Sequence, residues 1–136
     1  MKDIIIIGSG PAGLSAAVYG RRAGLDILVI EKEYCGTGQI AESGQVDNYL
    51  GIPGIDGYSL GEKFREHAEN LGTAFLEEEV TKLEQSDGYW KVLLAGGDVL
   101  ETKTVIYAAG ASHRHLNVPG EDKLSGRGVS YCATCD

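Results

Sequence analysis

Basic residues are scarce in this chain. Twelve lysines and arginines stand against 20 aspartates and glutamates, and the net charge of −8 is one that three histidines cannot reverse. A surface of that sign repels nucleic acid and anionic membranes, which sets both aside as partners. Apolar runs are short, and none approaches the length that crosses a bilayer. The opening Met1-Lys2-Asp3 is a poor charged leader, and the apolar stretch behind it breaks at Gly8, so a secretion signal is not expected. Cysteine is rare and odd in number, three in all, which argues against the disulfide scaffold of a small secreted protein. There is no internal repeat and no low-complexity tract. These absences describe a globular cytoplasmic protein. Its 136 residues suffice for one domain with a real core and are few for two.

What the chain has in abundance is glycine, 20 residues in all. Glycine collects where backbone must approach a ligand or adopt positive φ, so nucleotide binding is the first class to consider. Residues 4–7 are four consecutive isoleucines, as in a central parallel strand buried on both faces. Gly8-Ser9-Gly10-Pro11-Ala12-Gly13 follows. Residues 14–23 then read as a helix stopped by Gly24, and residues 26–30 as a second buried strand closed by Glu31. A Gly-x-Gly-x-x-Gly pattern alone is weak, but here it follows a strand, opens a helix and has an acid about twenty residues on. Gly8 permits the tight turn, Gly10 lets backbone approach a pyrophosphate, and Gly13 lets the helix pack on the strand. Amides at the helix N-terminus face the phosphates, and Glu31 is placed to accept from the adenosine ribose.

This motif does not choose between NAD and FAD. Three later segments favour FAD: Gly36-Thr37-Gly38-Gln39 after the second strand, Val46-Asp47-Asn48-Tyr49 with its amide, and the small-residue turn Ala108-Ala109-Gly110-Ala111. Between them, residues 59–71 carry an apolar stripe of Leu60, Phe64, Ala68 and Leu71, with Arg65 and its charged neighbours largely outside it. From residue 73 to 107 the period changes to two. Segments 74–76, 80–84, 89–94 and 99–101 read as a small antiparallel meander, and 104–107 as a further buried strand. His113-Arg114-His115 reads as a solvated turn, Glu77-Glu78-Glu79 as an exposed turn, Cys35 as a free loop thiol, and Trp90 as packing.

Cys132-Ala133-Thr134-Cys135 places two thiols at i and i+3, where their sulfurs can bond if they open a helix. At a helix N-terminus the first thiol is exposed and its pKa falls. A zinc site would need a second pair or histidines at ligand spacing, and only His113 and His115 are near, so no metal is expected. A redox pair is the favoured reading, with an inert buried pair as its alternative.

Over nearly its whole length the chain resembles the low-molecular-weight thioredoxin reductases. The residues that carry the likeness are the glycine fingerprint at 8–13, Gln39, Asn48, the Gly110-Ala111 turn and, most specifically, Cys132-Ala133-Thr134-Cys135-Asp136. The resemblance implies a three-layer α/β, glutathione-reductase-like Rossmann domain with a parallel sheet and an inserted antiparallel meander. Residues 1–113 would be an incomplete FAD-binding domain, and 114–136 a connector and the redox-motif start of a pyridine-nucleotide domain. It implies FAD contacts from Ser9, Gly10, Pro11, Ala12, Glu31, Lys32, Gly38, Gln39, Asn48, the backbone at Val80, and Gly110-Ala111, with Ala109 in the same turn. It implies that Cys135 faces the flavin, that Cys132 attacks a substrate disulfide through a mixed disulfide, and that Asp136 handles the proton. Thioredoxin or a similar small dithiol protein is the implied partner, NADPH the implied donor for the parent protein, and a homodimer its implied state. The chain departs from the family at Thr37, where a glycine is usual, with Cys35 just before it. Three alternatives stay open: a related reductase fed by ferredoxin or feeding a peroxidase, a non-catalytic FAD-binding fragment, or a cleaved half held by a complementary chain.

Overall fold

The computed structural model describes residues 1–34 and 38–134. Among the described residues, six strands form one sheet in the order β3-β2-β1-β6-β5-β4, with two α-helices and a short 3-10 helix. The elements are β1 (Lys2–Ile7), α1 (Pro11–Arg22), β2 (Ile27–Glu31), the 3-10 helix (Gly38–Glu42) and α2 (Gly57–Asn70). They are followed by β3 (Ala74–Glu77), β4 (Val80–Ser86), β5 (Tyr89–Leu94) and β6 (Val99–Tyr107).

The isoleucine run occupies the centre of the sheet because both its faces are covered. β1 pairs in parallel with β2 on one side and β6 on the other. Strand side chains alternate between faces. Ile6 therefore points to the helices, where it packs with Leu14 and Ala17 of α1 and Ala68 of α2. Ile5 and Ile7 point the other way and meet Val92 and Leu94 of β5. The result is three layers: helices, parallel strands, and the antiparallel strands β4 and β5.

Helix α1 begins at Pro11, three residues earlier than the apolar spacing suggests, because proline's missing N–H costs nothing in a first helical turn. Helix α2 begins at Gly57, where the Asp56 carboxylate caps it by accepting from the Ser59 N–H at 2.8 Å.

Three expectations are corrected. Residues 74–76 do not belong to the meander: β3 pairs in parallel with β2, Leu28 opposite Ala74 and Ile30 opposite Leu76. Residues 99–101 and 104–107 are not two strands but the single β6, antiparallel to β5 in its first half and parallel to β1 in its second. The polar Glu101-Thr102-Lys103 looks like a break. Thr102 is fully buried, however, with its hydroxyl 2.9 Å from the Thr104 carbonyl, so the strand continues through it. Lastly, Arg65 is not outside the packed face of α2 but buried, for reasons that concern the site.

Candidate functional site

The C-terminal ends of β1, β2 and β6 converge on one turn. Gly8 sits at φ +107°, a region open mainly to glycine, and its N–H donates to the Ile30 carbonyl at 2.8 Å. A Cβ there would lie 2.2 Å from the Ala108 carbonyl oxygen, and one on Gly13 would lie 2.0 Å from the Gly8 oxygen. Strand, turn and helix are thus in backbone contact. Gly10 is the N-cap of α1 and offers no side chain, so the first-turn amides carry no side-chain cap. Such amides, with the partial positive charge of the helix end, suit a phosphate.

Those amides open onto a cleft of about 780 Å³ lined by residues 8–12, 31–33, 38–42 and 108–111. It brings together Gly8, Ser9, Gly10, Pro11, Ala12, Glu31, Lys32, Gly38, Gln39, Ala109, Gly110 and Ala111 from the sequence reading. The Gln39 side-chain amide donates to the Ala111 carbonyl and ties the 3-10 helix to the turn after β6. A second cleft of about 550 Å³ shares Gly8, Lys32 and Ala109 with the first and reaches Val80. Gly13 lies buried behind the turn, and Asn48, in an exposed loop, lines neither cleft.

Glu31 is nearly buried at the end of β2, and its Oε2 accepts from Arg65 Nη1 at 2.8 Å. The Arg65 guanidinium lies 4.3 Å from the Tyr34 ring centroid and 4.1 Å from that of Phe75, and its Nε donates to Glu69. Charge, two carboxylates and two rings account for its burial. Lys32, in contrast, makes an exposed pair with Glu79 that contributes little.

Cys132 takes part in a disulfide, while Cys135 and Asp136 lie outside the described residues, as does Cys35. The segment before Cys132 is tied to residues 113–121. Glu121, nearly buried, accepts from the Tyr131 hydroxyl at 2.7 Å and from the N–H groups of Leu116 at 3.0 Å and Asn117 at 2.7 Å. His113 stacks on the Tyr131 ring, and His115 meets it edge-on with Nδ1 3.2 Å from Glu121. The histidines are exposed, as a solvated turn would be, but they are engaged. Arg65, Glu121 and Tyr131 escaped detection in the sequence because their partners lie on other elements or across irregular turns, where no helical or strand period marks them. The aromatic and acidic residues at 34, 69 and 75 flanking Arg65 gave no local pattern.

The Tyr131 hydrogen bond, then the backbone bonds, hold the Glu121 carboxyl down to about 2, and the same contact pushes Tyr131 up to about 12. In an alkaline absorbance titration, one phenol is therefore expected to ionise near 12, and Glu121→Gln should return it toward the ordinary value of 10. The raised phenol means this bond contributes below about pH 10 and is lost as pH rises through about 12.

The family model for pyridine nucleotide-disulphide oxidoreductases matches residues 2–136. The chain belongs to that family. It is 44% identical over 134 residues to the thioredoxin reductase of Ureaplasma parvum, covering 98% of this chain and 43% of that protein. It is 46% identical to that of Bacillus subtilis, covering 98% and 42%. Among solved structures, the Streptococcus pyogenes thioredoxin reductase superposes with a TM-score of 0.88 at 42% identity, covering all of this chain and 44% of that one. A ferredoxin-flavin thioredoxin reductase from Clostridium acetobutylicum superposes with a TM-score of 0.74 at 38% identity, covering 99% and 46%. The chain thus spans less than half the length of the relatives it matches. It is a pyridine nucleotide-disulphide oxidoreductase domain of the FAD-binding kind, and its glycine turn, uncapped helix end and strand-end Glu31 line one cleft. Among the described residues, no helix is long and apolar enough to cross a membrane.

Proposed function

We propose that this chain is the FAD-holding part of a disulfide oxidoreductase of the thioredoxin reductase kind, in which the Cys132/Cys135 pair reduces a protein disulfide. The observation that carries the reading is the turn at residues 8–13, which opens an uncapped helix end onto the large cleft in the same chain as a Cys-x-x-Cys. Backbone at Gly8, Ser9, Gly10 and Ala12 would hold the pyrophosphate. Glu31 would accept from the ribose, and Gly38, Gln39 and residues 109–111 would form the far wall, with Lys32 and Val80 at the adjoining cleft. When bound, FAD supplies the electrons that reduce the disulfide.

The remaining chemistry belongs to the protein. The Cys132 thiolate attacks one sulfur of the substrate disulfide, forms a mixed disulfide and expels a substrate thiolate, which takes a proton from Asp136. The Cys135 thiolate then attacks the Cys132 sulfur, closing the internal disulfide and releasing the second substrate sulfur as a thiolate, which takes its proton from water. Residues 1–113 would serve as the FAD segment and 114–136 as the connector to a pyridine-nucleotide domain of a homodimeric, cytoplasmic parent. The names of the relatives support thioredoxin as substrate. The family description supports a pyridine nucleotide as donor, NADPH in this reading, and the name of the Clostridium neighbour keeps ferredoxin as the alternative.

Two measurements test this. FAD added to the chain should show a shifted, structured flavin absorbance band. Chemically reduced Cys135→Ser protein should then form a mixed disulfide with oxidised thioredoxin that Cys132→Ser removes. No flavin binding, or an adduct that survives Cys132→Ser, sinks the reading.

A further inference from the structure

We infer that Arg65 is a positioning residue for the bound dinucleotide: it grips Glu31 by one carboxylate oxygen so that the other faces the ribose. This rests on the reading of the cleft given above. Among the described residues, Arg65 is the side chain bonded to Glu31, and it takes Oε2 at 2.8 Å. Glu31 is 5% exposed and is among the residues that line the cleft. A carboxylate accepts only, so the oxygen that Arg65 leaves untaken would accept from a hydroxyl donor of a ligand in the cleft.

The grip is rigid because the guanidinium has no freedom of its own. Rings lie against it at 4.3 Å (Tyr34) and 4.1 Å (Phe75), and Nε is committed to Glu69 Oε1 at 2.8 Å. Tyr34 is itself fixed by donating to the Glu62 carboxylate at 2.8 Å. Burial works against the Arg65 charge, but the bonds to Glu31 and Glu69 outweigh it and leave its pKa raised. Lysine cannot replace this arrangement. Its ammonium keeps the charge but lacks the planar fork that serves two carboxylates and stacks between two rings.

The test uses ADP and 2′,3′-dideoxy-ADP, titrated calorimetrically into the chain. A hydrogen bond to a charged acceptor predicts that wild type prefers ADP by about tenfold or more. In Arg65→Lys that preference should collapse to about twofold or less, with dideoxy-ADP affinity nearly unchanged. A merely structural role for Arg65 would weaken both ligands alike and keep the ratio, which overturns the inference. Glu31→Gln separates the two levels of the argument. If Glu31→Gln abolishes the preference and Arg65→Lys keeps it, the ribose reading stands and the role of Arg65 is lost. If wild type shows no preference, both fall. Should Arg65→Lys not fold, Tyr34→Ala removes one ring at an exposed position. The preference should then fall about threefold, and an unchanged ratio overturns the inference.

Discussion

Gly13→Ala is expected to abolish flavin binding and to lower stability by about 1–3 kcal/mol, the range for forcing a methyl into a filled interior. The added carbon would sit 2.0 Å from the Gly8 carbonyl oxygen, a backbone atom that cannot turn aside as a side chain would. Relief requires α1 to move away from β1, and that movement displaces the first-turn amides which face the cleft. Gly8→Ala should behave similarly, since its φ is +107° and its Cβ would meet the Ala108 oxygen at 2.2 Å. Urea midpoints and FAD titrations on both variants check the expectation. Flavin affinity within about twofold of wild type, alongside an unchanged midpoint, would show that the helix–strand contact is not what shapes the site.

Acid should release residues 116 and 117 from the Glu121–Tyr131 contact before it unfolds the sheet. Glu121 has a folded-state pKa of about 2 against an ordinary 4.5, so its contribution is complete above about pH 4.5 and is lost as pH falls toward 2. Protonation removes an acceptor shared by the Tyr131 hydroxyl and the N–H groups of Leu116 and Asn117. Hydrogen exchange followed across that window should show the amides of Leu116 and Asn117 losing protection while those of β1 keep theirs. Glu121→Gln should expose the same two amides at neutral pH. Equal loss of protection in β1 would mean that the carboxylate supports the whole fold rather than this one contact.

How much of this was legible beforehand depended on the range of the interaction. The isoleucines at 4–7, the glycines at 8, 10 and 13 and the acid at 31 state their roles locally. The first signals burial on two faces, the second a turn in which Gly8 and Gly13 leave no room for a side chain, and the third a carboxylate at a strand end. The Cys132/Cys135 spacing is likewise a local fact. Ala74–Glu77 misled because a four-residue strand looks the same whether its partner is parallel or antiparallel, and its partner here is β2. Thr102 misled because a buried threonine reads as a polar break until its hydroxyl is seen to reach the Thr104 carbonyl.

The order of residues alone determined the βαβ unit, its glycine turn and the i, i+3 spacing of Cys132 and Cys135, because backbone preference and side-chain period act over a few neighbours. Tertiary structure decided the rest. It carried Arg65 into the core between Tyr34 and Phe75, and it brought Glu121 against Tyr131 from ten residues away. A charged side chain goes inside only where partners from other segments replace the water it leaves, and no stretch of sequence displays those partners by itself.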